Sequence, residues 1–262
     1  MAIVTITSDW KNDDYYAASL QGLILGRCPG TVIVPITHRV PPFNVAIAAF
    51  QLRYSFPHFP ANTIHIIAVN GDTQEKNPFV AVRLMNQYFI GYDNGIFGLL
   101  ADEEPLEAVV LKNQDGGTFP ELVVFAATAC DLIEKGSMKA LGTIHEKLHR
   151  KVAMLPAIDE SVITGNIVYI DSYRNAFTNI SRELFEQIGK GRPFELLIQS
   201  NRYRISRIHQ WYGETSRGEL LALFNSIGLL EIAINGGNAA DLLNLGVNST
   251  IRIRFREVQQ QV

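Results

Sequence analysis

Asp9, Asp13 and Asp14 crowd into one short polar stretch near the start of the chain. An ionised carboxylate accepts hydrogen bonds through both oxygens, which suits vicinal hydroxyls such as those of a ribose. The same residue type is a good helix cap, and on this stretch alone the simpler account is that Asp9 and Asp14 only start the helix that follows. A second polar set lies far along the chain. Asp171 and Asn175 offer groups for a ligand amine and a heterocycle edge, or else shape their own turn as Asx residues do. Tyr212 offers a ring for stacking on a planar ligand, or a packing anchor. Asn235-Gly236-Gly237 lets backbone approach a ligand, or is an ordinary loop before a helix.

Histidines give a third set. His145, Glu146, Lys147, Leu148 and His149 spell H-E-x-x-H. On a helix that spacing puts two imidazoles on one face, as zinc proteases require. A zinc site also needs a third ligand, and none suggests itself downstream. The segment is basic from Lys147 to Lys151, so a chance match on a solvated helix face is preferred and no metal is expected. His38, His58, His65 and His209 show no Cys or carboxylate at metal spacing.

Elements that position these groups follow from the apolar pattern. Ile3 to Thr7 is β-branched without Gly or Pro and reads as a buried strand. It runs through the acidic stretch into a helix with Tyr16, Leu20, Leu23 and Ile24 on one face. The carboxylates therefore sit at the carboxyl end of a strand, where open α/β sheets bind ligands. Further strands are expected over 31–37, 64–69, 79–84, 87–92 and 108–112, with helices over 45–54, 96–100 and 122–135. Asn70 to Pro78 is a long polar loop at the carboxyl end of the third strand. Gly136 caps the last of these helices. Residues 137–158 read as a connector. Beyond it, short strands over 164–170, 176–180, 194–198, 202–208, 220–225, 230–234 and 250–255 suggest a small β-barrel-like or sandwich domain. The fold class is α/β: a layered amino-terminal domain, 1–155, with a smaller β-barrel-like domain, 156–262.

The bulk numbers set outer limits. The chain has 262 residues, 47% hydrophobic and 19% charged, with a net charge of −3. That is an ordinary globular balance, and it gives no electrostatic case for nucleic acid. Cys28 and Cys130 are too few for a disulfide framework and read as reduced thiols in a cytoplasmic protein. No signal peptide is visible, and no apolar run approaches the ~20 residues needed to span a bilayer.

Several segments taken together resemble the S-adenosylmethionine (SAM) hydroxide adenosyltransferases, the adenosine-forming SAM hydrolases, which are relatives of the fluorinases and chlorinases. The matching pieces are Thr7-Ser8-Asp9, Asp14, Tyr16, Ile36-Thr37-His38, Thr63-Ile64-His65, Tyr92-Asp93-Asn94-Gly95 and Thr118-Phe119. They continue through Tyr169-Ile170-Asp171, Asn175, Thr178-Asn179-Ile180, Asn225-Ser226-Ile227-Gly228 and Leu230 to Gly236. It is their order along nearly the whole chain that is specific. The resemblance implies homotrimers that bind SAM between neighbouring subunits, as substrate rather than cofactor. It gives Asp9 to the ribose hydroxyls with Asp14 nearby, and Phe43 to the nucleoside pocket. Asp171 and Ser226 match positions that hold the methionine end, and Asn175 an adenine-contacting one. Tyr212 takes the place of an aromatic flanking adenine, and backbone around Asn235 and Gly236 completes that pocket.

The family's catalytic positions do not carry over. Where the hydrolases have an Asp, an Arg seven residues later and a His after Thr-Phe, this chain has Asn70, Asn77 and Pro120. Asn70 cannot act as a carboxylate, Asn77 has no permanent charge, and Pro120 has no titratable group. The family's Pro-Gly after its Asp is here Gly71-Asp72. Asp72 and Glu121 stand beside the vacated positions as substitutes. Thr73 matches a Thr that lines the halide site of the halogenating relatives. The resemblance implies SAM cleavage by water to adenosine and methionine. The alternatives are a SAM- or nucleoside-binding protein that has lost catalysis, and an enzyme using another nucleophile or nucleoside.

Overall fold

Strand β1 (Ile3–Ser8) opens the chain, its β-branched side chains suited to a pleated, buried surface. After it come α1 (Tyr15–Arg27), β2 (Val32–Thr37), α2 (Val45–Arg53), β3 (Ile64–Ala68), β4 (Phe79–Leu84) and β5 (Gln87–Tyr92). Helix α3 (Ile96–Ala101), β6 (Glu107–Leu111), α4 (Pro120–Lys135) and β7 (Gly142–Ile144) complete the first half. The computed structural model describes residues 1–11, 13–69, 77–101, 107–112, 117–199 and 202–256. The chain divides into two compact units, Met1–Ala153 and Met154–Val262.

The amino-terminal unit is a mixed seven-stranded sheet in the order β2-β1-β3-β5-β4-β6-β7. Strands β2, β1, β3 and β5 run parallel, and β4, β6 and β7 pair antiparallel. Val4 and Ile6 point from β1 into a core shared with Leu20 and Ile24 of α1 and Val124 and Phe125 of α4. Alternate residues Thr5 and Thr7 are also fully buried. Thr5 Oγ1 lies 2.7 Å from His65 Nδ1, and His65 Nε2 lies 2.5 Å from Gln87 Oε1. Gln87 Nε2 donates to the carbonyls of Phe56 and Phe59, so its Oε1 must accept. His65 therefore donates through Nε2 and accepts the Thr5 hydroxyl through Nδ1. His65 is a satisfied core residue, stacked on Phe89 at 4.7 Å.

Residues 137–158, expected as a connector, hold the edge strand β7. The strand is only three residues long and starts at a glycine, so it carries no periodic signal. Gly142 is required there: a Cβ would stand 1.7 Å from the Val110 carbonyl oxygen.

The carboxyl-terminal unit contains β8 (Ala157–Asp159), β9 (Val162–Ile170), β10 (Ala176–Ser181), α5 (Arg182–Gly189), β11 (Phe194–Ile198) and β12 (Tyr203–Ile205). It continues with β13 (Leu220–Phe224), β14 (Leu229–Ile234), α6 (Ala239–Leu242) and β15 (Thr250–Phe255). Seven strands run in the order β12-β11-β15-β9-β10-β14-β13, with β8 beside β9. A bridge between His209, just past β12, and Leu223 of β13 curls the sheet into a nearly closed antiparallel barrel. Strand alternation fills it: Ile251, Ile253 and Phe255 of β15 are buried while Arg252 and Arg254 face out. Among the described residues no helix is long and apolar enough to cross a membrane.

Candidate functional site

Asp9 follows the last residue of β1, at the carboxyl end of the parallel strands. Its Oδ2 accepts the backbone N–H of Phe43 at 2.9 Å, which ties the loop after β2 to the end of β1. Phe43 is 67% exposed with φ 64°, a left-handed conformation unusual for a bulky residue. Asp14 holds the N-cap position of α1, but its side chain makes no capping bond. The two aspartates thus part company. Asp9 braces a distant loop, and Asp14 leaves its exposed carboxylate uncommitted to the helix.

Glu121 stands in the first turn of α4, after Pro120, which needs no N–H partner at that place. It is 7% exposed. Burial raises its carboxyl above the ordinary glutamate range, the nearby Asp9 charge adds to the rise, and a hydrogen bond from the Tyr92 hydroxyl partly offsets it. Tyr92, at the end of β5, has its own phenol pushed up by burial and by Glu121 and Asp9. Asp9, Tyr92 and Glu121 are therefore one electrostatic group. Beside it, Phe119 packs on Tyr16 at 4.4 Å and on Trp10 at 5.6 Å. Sequence reasoning named Asp9, Asp14, Phe43, Phe119 and Glu121 but not Trp10 or Tyr92 as site residues. Thr118 is exposed in the turn before α4, and Asn77 is half-buried just ahead of β4. Asn70, Asp72 and Thr73 lie outside the described residues.

His38 follows β2. Its Nδ1 lies 2.7 Å from Ser8 Oγ, and Nε2 is enclosed without a hydrogen-bond partner. Burial lowers its pKa, which favours the neutral imidazole.

The H-E-x-x-H letters lie on irregular chain with a bend at Glu146, not on a helix. His145 Nε2 lies 2.9 Å from Asp93 Oδ2, and the backbone N–H of His149 donates to Asp93 Oδ1 at 2.8 Å. His149 Nδ1 also meets the Asp93 carbonyl at 2.9 Å. Asp93 is 1% exposed. The solvated helix face is thus corrected to a clamp, in which one buried carboxylate holds two histidines. Among the described residues no group of three His, Cys, Asp or Glu side chains is placed to hold a metal ion.

In the carboxyl-terminal unit, Asp171 begins the turn between β9 and β10. Its Oδ1 accepts the backbone N–H of Asn175 at 2.8 Å, and its own N–H donates to the Asn175 carbonyl at 3.1 Å. That is the turn-shaping role weighed for both residues. Asn175 is also 7% exposed and lies beside Tyr212 and Glu231. The Tyr212 hydroxyl donates to Glu231 Oε1 at 2.7 Å. Burial raises both the Tyr212 phenol and the Glu231 carboxyl. Asn235 Nδ2 donates to the Thr215 carbonyl at 2.7 Å, which pins the loop that follows Tyr212. Ser226 is exposed at the β13–β14 turn. Asp171, Asn175 and Tyr212 therefore form one cluster around Glu231, which sequence reasoning missed as a site residue. Its signal was a lone carboxylate inside the apolar run Leu229 to Ile234.

Comparison with known proteins agrees with this division. The model of the SAM hydroxide adenosyltransferase N-terminal domain matches residues 4–142, and that of the C-terminal domain matches residues 165–252. An (R)-S-adenosyl-L-methionine hydrolase from Salinispora tropica is 27% identical over 95% of this chain and 97% of its own length. A fluorinase from an Actinoplanes species is 22% identical over 96% of this chain and 97% of its own. The crystal structure of an uncharacterised conserved protein from Thermotoga maritima shares the fold, with TM-score 0.87 at 24% identity over 96% of this chain and 99% of that one. The chain belongs to the SAM hydroxide adenosyltransferase family and is a distant relative of the fluorinases.

Proposed function

We propose that this protein binds S-adenosylmethionine and cleaves it with water to adenosine and methionine. In that reaction the water oxygen bonds to the ribose C5′ as the C5′–S bond breaks. The bonding pair stays on sulfur, giving the neutral thioether of methionine, and the water gives up a proton. A sulfonium leaves readily, so the protein has to orient the water, accept its proton and exclude competing solvent. The observation that carries the reading is the buried Glu121 carboxyl beside Asp9 and Tyr92. A carboxyl held above its ordinary range is a better base near neutrality than an exposed one. Glu121 is the proton acceptor in this account, and it adjoins Pro120, which stands where the hydrolases have a His. Asp9 receives the ribose hydroxyls, with Asp14, Phe43, Thr118 and Phe119 around it. Asn175 and Tyr212 receive adenine together with backbone at Asn235, and Asp171 and Ser226 the methionine end. The homotrimer with sites between subunits belongs to the same proposal, as do roles for Asn70, Asp72, Thr73 and Asn77.

A second reading, a binding protein without turnover, is favoured by Asn70, Asn77 and Pro120 at the family's catalytic positions. Incubation with SAM followed by chromatography separates the two. Adenosine and methionine in equal amounts, reduced ~10²–10⁴-fold by Glu121→Gln with ligand binding kept, support hydrolysis by this base. Intact SAM with a raised melting temperature supports binding alone. Intact SAM without any shift refutes both.

A further inference from the structure

The resemblance gives no role to Asp93 or to the two histidines fastened to it, and the proposed reaction uses none of them. Asp93 and Asn94 directly follow β5, and both are buried. The backbone N–H of Asp93 donates to the Pro78 carbonyl at 2.9 Å. Asn94 Nδ2 donates to the Val69 carbonyl at 3.1 Å, and Asn94 Oδ1 accepts the backbone N–H of Ile96 at 3.3 Å, which fixes how the amide faces. Val69 and Pro78 flank the stretch 70–77, which carries Asn70 and Asn77 at the family's catalytic positions. One dipeptide therefore holds both ends of that stretch.

The dipeptide is itself held from the other side. A carboxylate and a carbonyl only accept. His145 therefore donates through Nε2 to Asp93 Oδ2, and His149 through its backbone N–H to Oδ1 and through Nδ1 to the Asp93 carbonyl. Past the histidines the chain lies directly against α3. A Cβ at Gly98 would stand 2.9 Å from the Lys151 carbonyl oxygen, and one at Gly95 2.6 Å from Lys151 Cγ. Residues 145–151 thus run along 93–98 as a strap, hydrogen-bonded at one end and in close contact with glycines at the other. We propose that His145 is a positioning residue: through Asp93, the strap fixes where Val69 and Pro78 stand, and with them the geometry in which SAM is cleaved. The consequence for cleavage rests on the reading of this protein as a SAM hydrolase, and the hold on the two ends does not.

Amide hydrogen exchange and SAM turnover test it, on the full chain as wild type, His145→Ala, His145→Gln and Gly98→Ala. His145→Ala removes one donor to a buried carboxylate. Gly98→Ala wedges the strap off α3, at a helical position where Ala is otherwise favoured over Gly. In both, the Asp93 amide should exchange about tenfold faster or more, the scale of one lost hydrogen bond to a charged group. The kcat for SAM should fall ~10–100-fold with KM within about twofold, as for a displacement of about 1 Å at the reacting groups. His145→Gln, whose Nε2 can donate to the same oxygen, should recover most of both losses. A merely structural role would lower the melting temperature and leave kcat untouched well below it. An Asp93 amide unchanged in the variants overturns the hold on the two ends. A faster amide with unchanged kcat, or a loss confined to KM, overturns the positioning role. Either substitution decides if the other does not fold. If the wild type leaves SAM intact, the hydrolase reading falls and the positioning role with it, while the exchange rates still decide whether the strap holds Val69 and Pro78.

Discussion

His65 offers a test of the scaffold on which the site is built. Burial between Thr5, Gln87 and Phe89 pushes its pKa down to about 4, against 6.5 for an ordinary histidine. At about 1.4 kcal/mol per pH unit, the full gap corresponds to about 3 kcal/mol. The unfolded chain takes up a proton between those two values and the folded chain does not. Stability contributed by the neutral ring is therefore present above the unfolded value and lost as pH falls toward the folded one. At pH 5 the loss from this residue is about 2 kcal/mol relative to pH 7. Urea denaturation at both pH values, on wild type and His65→Gln, isolates the effect, because only the difference between the two pH values is read. The wild type should lose about 2 kcal/mol more than the variant on acidification. NMR of the labelled imidazole gives an independent reading and should show no titration near pH 6.5. Equal losses in the two proteins, or an imidazole midpoint near 6.5, would refute the argument from burial.

Asp93→Ala should cost about 2–3 kcal/mol in denaturant unfolding, because it strips the partner from the His145 ring and from the His149 backbone N–H; a change below about 0.5 kcal/mol would deny the clamp. Gly142→Ala should lower stability by about 1–3 kcal/mol, since β7 must move off Val110 to admit a methyl group; an unchanged melting temperature would contradict that register. SAM turnover should rise with pH as Glu121 ionises, with a midpoint above the usual carboxylate range. A rate already flat at the ordinary glutamate value would remove Glu121 as the base.

Local signals were legible where the chain is periodic. The β-branched run of β1 and the glycine that caps α4 place those elements without any knowledge of the fold. The strand-then-carboxylate order likewise put Asp9 at the carboxyl end of β1. What the sequence left open depends on distant partners. Asp9 and Asp14 look alike in the chain, and only a bond to Phe43, 34 residues away, separates them. Glu231 was hidden because its neighbours in sequence are apolar, while its partner Tyr212 lies in a distant loop. The H-E-x-x-H spacing misled for the opposite reason. It is meaningful only on a helical backbone, and this segment is irregular, with both of its ends held by Asp93.

That shared carboxylate also makes three positions inherit as one. A change at Asp93 strands the His145 imidazole and the His149 backbone N–H at once, whereas Glu146, Lys147 and Leu148 have no part in the attachment and are free to drift. Among kindred sequences, the zinc-like lettering should therefore come and go at its middle while its two histidines rise and fall with an aspartate some fifty residues earlier.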